Sequence, residues 1–145
     1  MKSLNVNQSF ERLESRLLMA VHAVLNNDDT GAGSLRQAIA DAVSGDTIDL
    51  SGLTGNIVFT SEIAIATTEL TISGAGADVL SLDGNDVTRI FNVAADGVLT
   101  LQGLTLTRGF AERGGAIANE GQLTLDRVTV TANRATRFGG GIYQT

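Results

Sequence analysis

Cysteine, proline and tryptophan are absent from this 145-residue chain, lysine occurs once, at Lys2, and histidine once, at His22. Without cysteine there can be no disulfide framework, no thiolate metal site and no cysteine nucleophile. A single histidine cannot form a metal-binding pair, and in an N-terminal stretch it reads as a bystander, not a ligand or base. Charged residues make up only 18% and aromatic residues 4%, against 43% hydrophobic residues and 17 glycines. That is enough apolar chain to bury the core of one domain, and it excludes wholesale disorder.

The formal net charge is −6, which argues against a nucleic-acid or anionic-membrane partner, since both require a basic footprint. The charge is unevenly spread. Residues 26–99 are strongly acidic, whereas residues 100–145 carry Arg108, Arg113, Arg127, Arg134 and Arg137. Read without interleaved aromatics, these arginines are a solvated face.

Residues 1–25 differ from the rest. A charged start leads into the apolar run Leu17–Leu25, too short to span a bilayer but of the length of a secretory hydrophobic region, with Val21-His22-Ala23 as a small-residue cleavage site. Lys2, Arg12 and Arg16 are diluted by Glu11 and Glu14, so a short amphipathic helix or loose arm is the other reading. Phe10-Glu-Arg-Leu-Glu-Ser-Arg-Leu-Leu-Met-Ala20 resembles the LEPR-x-LL motif at the N-terminus of large planctomycete surface and exported proteins, with Ser15 where that motif has proline. The resemblance implies export or surface sorting.

After the turn-forming stretch 26–33, Ser34 is set to cap a helix over 35–43, with Gln37 completing a capping box and Gly45 ending it. Leu35, Ala38, Ile39 and Ala42 share one face of it. Asp28-Asp29 precedes it, where the helix dipole accounts for two adjacent carboxylates. Beyond Asp46 the chain reads as short strands: 47–50, 56–60, 70–73, 79–82, 89–93, 99–107 and 123–131.

Self-similarity decides the architecture. Leu99-Thr-Leu-Gln-Gly-Leu-Thr-Leu-Thr107 returns as Leu123-Thr-Leu-Asp-Arg-Val-Thr-Val-Thr131, and Gly114-Gly-Ala-Ile117 returns as Gly139-Gly-Gly-Ile142. Strand repeats at about this period mark a solenoid. Within each long copy the apolar parity changes in one place, across Gln102-Gly103 and Asp126-Arg127, which predicts a corner. Stacking then places Leu99 over Leu123, Leu101 over Leu125, Leu104 over Val128, Leu106 over Val130 and Ile117 over Ile142, with Thr100, Thr105 and Thr107 facing outward over Thr124, Thr129 and Thr131. Extending this back through Ile48 and Leu70 gives spacings of 22, 29 and 24 residues and about four coils, roughly 20 Å of column. The expected fold is an all-β, single-stranded right-handed parallel β-helix over residues 26–145 with a short N-terminal capping α-helix. The final rung, ending at Gly139–Thr145, has no cap, so further coils or a partner are expected to cover it.

Residues 26–145 also resemble bacterial exported β-helix proteins that share Gly-Gly-Ala-Ile and Phe-x-x-Asn repeats with chlamydial polymorphic outer-membrane proteins. Gly114–Ile117 is an unaltered copy, Gly139–Ile142 a near copy, and Val130-x-x-Asn133 matches the second motif with valine for phenylalanine. The resemblance implies an extracellular or cell-surface module, with a surface glycan or another cell-surface protein as partner.

No catalytic, cofactor or metal residue is assigned. Asp126-Arg127 at a corner reads as a solvated ion pair, and Asp78, Asp83 and Asp86 as turn residues, because the calcium repeat they echo does not recur. The functional expectation is a non-enzymatic adhesive or spacer module. Its alternative is the first part of a polysaccharide-active β-helix whose catalytic coils lie beyond residue 145.

Overall fold

Runs in which aliphatic and polar residues alternate cannot bury their apolar face alone, and here each one lies parallel on the next turn of the same chain. The structure is a computed structural model that describes residues 19–67 and 69–145. The sorting-like motif up to Leu18 lies outside the described residues. In chain order the elements are β1 (Val21–Ala23), α1 (Leu35–Asp41), β2 (Asp46–Leu50), β3 (Gly55–Val58), β4 (Ile63–Ile65), β5 (Leu70–Gly74), β6 (Leu80–Asp83), β7 (Phe91–Val93), β8 (Val98–Thr107), β9 (Phe110–Arg113), β10 (Ile117–Asn119), β11 (Gln122–Thr131), β12 (Arg134–Phe138) and β13 (Ile142–Gln144). They form a parallel β-solenoid of about five turns.

Three faces enclose the core. The first stacks β1, β2, β5 and the leading halves of β8 and β11; the second stacks β3, β6 and the trailing halves of β8 and β11; the third stacks β4, β7, β10 and β13. The corner between the first two faces lies where the parity break predicts it. Asp126 pairs with Gln102 and Val128 with Leu104, which leaves Gly103 and Arg127 at left-handed φ of +60° and +54°. All five expected stacks are present. Inside, Ile48, Ile72, Leu99, Leu101, Leu104, Leu106, Phe91 and Ile117 are fully buried, each such side chain stabilising the column by about 1.5–3 kcal/mol.

The repeated motifs have structural duties. Gly114 and Gly139 turn the chain at φ of +65° and +63°, and a side chain on Gly115 would strike the Gly140 carbonyl of the next turn. Asn133 locks the last two turns together, accepting from the Gly109 N–H at 2.7 Å and donating to the Leu106 carbonyl at 2.9 Å. Asn133→Ala removes both bonds and strands a buried N–H on Gly109, so stability to urea should fall by about 1–3 kcal/mol. An unchanged denaturation midpoint would contradict that role.

At the N-terminal end the column is closed by side chains as well as by the helix. Leu35, Ala38 and Ile39 join the core, and Ser34 accepts the Gln37 N–H at 3.2 Å. The expected capping box is half made. The Ser34 N–H is already bound by the Gly31 carbonyl, so Gln37 turns to Asp41 instead. The edge of β3 and the turn after it are met by Asn27, which donates to the Thr54 and Asn56 carbonyls, and by Arg36, which donates to those of Ser61 and Glu62. Asp29 accepts from the Thr60 N–H and hydroxyl while holding Arg36 at 2.8 Å. It therefore straps the cap to the first full turn, in place of the helix-dipole role expected of it.

Several further expectations are corrected. There are about five turns, not four, because Val21–Ala23, read as the end of the leader, forms a strand against Thr47–Asp49. The 22-residue spacing becomes 24: Ile48 pairs with Ile72, and Asp46 lies opposite Leu70. The surplus in the 29-residue interval sits at the corner after β5, where Ser73 pairs with Gln102 but Ser81 with Thr105. That insertion covers Thr105, which is buried and donates to the Ala77 carbonyl, so it does not face solvent. Strands β4, β9, β10, β12 and β13 were not foreseen as strands, although the Ile117–Ile142 stack was; each is only three to five residues long.

Candidate functional surface

The side chains that gather are those on consecutive turns at the same place. Arg134 pairs with Phe110 and Phe138 with Arg113 across β9 and β12, with an irregularity between Ala135 and Phe138. The Arg134 guanidinium lies 4.9 Å from the centre of the Phe110 ring. Arg113 lies 5.7 Å from the Phe138 ring and 5.5 Å from the Tyr143 ring, and Arg137 is 5.9 Å from Phe138. Phe138 and Tyr143 stack at 6.4 Å. Three arginines and three aromatic rings are thus gathered in two groups along β9, β12 and β13, and Phe138 is 53% exposed. The expectation of arginines without aromatics fails here, because apart from the neighbours Arg137 and Phe138 the partners lie about a turn apart in the sequence. Cation–π contacts at such exposure are worth about 0.5–1 kcal/mol each.

Glu112 is the acid on this surface, and it accepts from Arg137 at 3.1 Å. Next to it a surface cavity of about 230 Å³ is lined by Arg89, Asn92, Arg113, Ala118, Asn119, Glu120, Tyr143 and Thr145. Arg89 is spent on structure: it holds Glu62 at 2.6 Å and donates to the Arg113 and Gly114 carbonyls. Arg113 is 45% exposed, lies over the two rings and has its Nε 4.0 Å from the Glu112 carboxylate. An arginine fork backed by aromatic faces suits a planar anion carried on an apolar ring.

The acidic turn is taken up differently. Asp83 is buried and accepts from the Asn85 N–H at 2.7 Å and from Arg108 at 2.9 Å. The Asp83 carboxylate, through this hydrogen bond and its charge, raises the Arg108 guanidinium above its ordinary value. Arg108, expected on a solvated face, is thus an internal tie between two turns. Asp86 lies 3.9 Å from the same arginine and Asp78 is exposed elsewhere on the loop. Among the described residues no group of three or more histidine or acid side chains is placed to hold a metal ion.

His22 also has a partner. Its Nε2 lies 2.8 Å from the Asp46 carboxylate. The outward threonine row is longer than two repeats showed, running Thr47–Thr71–Thr100–Thr124 along the first face. Among the described residues no helix is long and apolar enough to cross a membrane. Comparison with protein-family models, curated proteins and solved structures returns no match to this chain.

Proposed function

We propose that this chain is a non-enzymatic β-solenoid module of the cell exterior, an adhesive spacer whose arginine–aromatic surface grips an acidic glycan. The observation that carries the reading is the set Arg113, Arg134 and Arg137 laid against Phe110, Phe138 and Tyr143. Carboxylate or sulfate groups pair with the guanidinium forks, and the apolar faces of sugar rings rest on the aromatic rings. Asp29, Asp83 and Glu62 are engaged in holding turns together, which supports a scaffold over a hydrolase or lyase. Export and surface display rest on the resemblance of Phe10–Ala20 to a sorting motif and of Gly114–Ile117 and Val130–Asn133 to repeats of exported β-helix proteins.

The protein's net negative charge opposes a nucleic-acid partner, whose phosphate density exceeds what this patch offers. The test is calorimetric titration of the full chain with oligogalacturonate and with a neutral dextran of similar length. Binding of the acidic oligomer alone is expected, weakened at least tenfold by Arg113→Ala combined with Arg134→Ala. Equal binding of both sugars, or of neither, would refute the reading.

A further inference from the structure

The last turn shares a symmetry with the turn beneath it and alone carries charge at its centre. About the corner of β11 the sequence reads the same in either direction by residue class: Leu123 answers Val130, Thr124 answers Thr129, Leu125 answers Val128, and Asp126 answers Arg127. The equivalent corner below is Gln102-Gly103, so opposite charges at the centre belong to this rung and not to the one beneath it. Asp126 and Arg127 are 48% and 77% exposed and meet each other at only 3.3 Å. Arg127 moreover holds a left-handed φ where the turn below uses glycine, a conformation that disfavours a long side chain.

The backbone of the edge is arranged to match. Gln122 donates back to Gly97, so by strand alternation the N–H and C=O groups of Leu123 and Leu125 face the free edge. On the other arm Thr107 turns its carbonyl back to Gly84, and Thr131 sits over Thr107, which sets the polar groups of Val128 and Val130 to the free edge as well. In a flat antiparallel pair a dyad cannot fall between two residues, because adjacent pairs alternate between hydrogen-bonded and non-bonded types. The parity break at the corner removes that conflict and lets both arms pair in phase.

We propose that β11 is a self-complementary docking edge, and that two copies of this chain join end to end about a twofold axis through the Asp126–Arg127 corner. Leu123 then pairs with Val130 of the second copy, Leu125 with Val128, and each Asp126 meets the opposite Arg127. The joint continues the apolar interior from one column into the other, and its isologous geometry closes at two copies.

Sedimentation of the full chain at tens of micromolar should give about twice 15.1 kDa. Asp126→Arg sets arginine against arginine and Arg127→Asp sets aspartate against aspartate, so each variant alone should sediment as a monomer, its dissociation constant raised at least tenfold. Mixing the two variants should restore the dimer as a one-to-one heterodimer, and the double exchange on one chain should restore the homodimer. Both residues are exposed, so circular dichroism should be unchanged throughout. A wild type that stays monomeric, open-ended association, a dimer indifferent to both charge reversals, or variants that fail to recombine would each overturn the proposal.

Discussion

Leu101→Asp is expected to abolish the folded column, with loss of the cooperative thermal transition by circular dichroism. Leu101 is fully buried, with Ile72 on the turn below and Leu125 on the turn above. A carboxylate there would meet no donor, and burying it unpaired costs several kcal/mol, a large part of a small domain's total stability of about 5–15 kcal/mol. A solenoid turn is held by its neighbours alone, so breaking this layer uncouples the turns on both sides. Leu125→Asp makes the contrast. The repeat places Leu125 in the same interior row, and the register agrees, but on the last turn the side chain is 38% exposed. An aspartate there reaches water, and the melting temperature should fall by only a few degrees. Equal damage from the two substitutions would mean that the end of the column is not open as described.

The interior was legible because it repeats a pattern at a fixed spacing. The corners, the paired glycines and every aliphatic stack named from Leu99 onward follow from two copies of one rung. What stayed hidden was chiefly polar, though it obeyed the same spacing. His22 and Asp46 are 24 residues apart, Asp83 and Arg108 25, Glu112 and Arg137 25, and Asn133 lies 24 from Gly109. Charges read along the chain are scattered, yet at one period's offset these find their partners, and the same offset would have brought Arg134 to Phe110 and Arg113 to Phe138. Two kinds of feature escape even that rule. The insertion after β5 resets the count locally, which is how Thr105 came to be covered. The cap uses Asn27, Asp29 and Arg36 in bonds to backbone carbonyls and N–H groups, and backbone groups carry no sequence signature.

Asp46 shows how far such a hidden polar residue can matter. By register it stands at the head of an interior row that continues through Leu70, Leu99 and Leu123, so a carboxylate occupies a leucine's place at the capped end and is only 3% exposed. It is tolerated because donors converge on it: the Val43 N–H at 2.9 Å, His22 at 2.8 Å and the Ala20 N–H at 3.0 Å. These tie β1 and the segment after α1 to the first full turn. The Val43 N–H foremost, then His22, outweigh the opposing effect of burial and hold the carboxyl below its ordinary value. A carboxyl depressed in the folded state stabilises it above the unfolded pKa of about 3.9, and that contribution disappears as pH falls through the folded value. Asp46→Asn keeps the shape but offers a single acceptor oxygen where two are used. Its melting temperature at pH 7 should lie roughly 5–10 °C below that of the wild type, and the gap should narrow as pH falls below about 4, where the carboxyl of the unfolded chain takes up its proton while the native one, held lower, is still ionised. A gap that stays constant from pH 7 to 3 would show that the charge of Asp46 does not hold the cap.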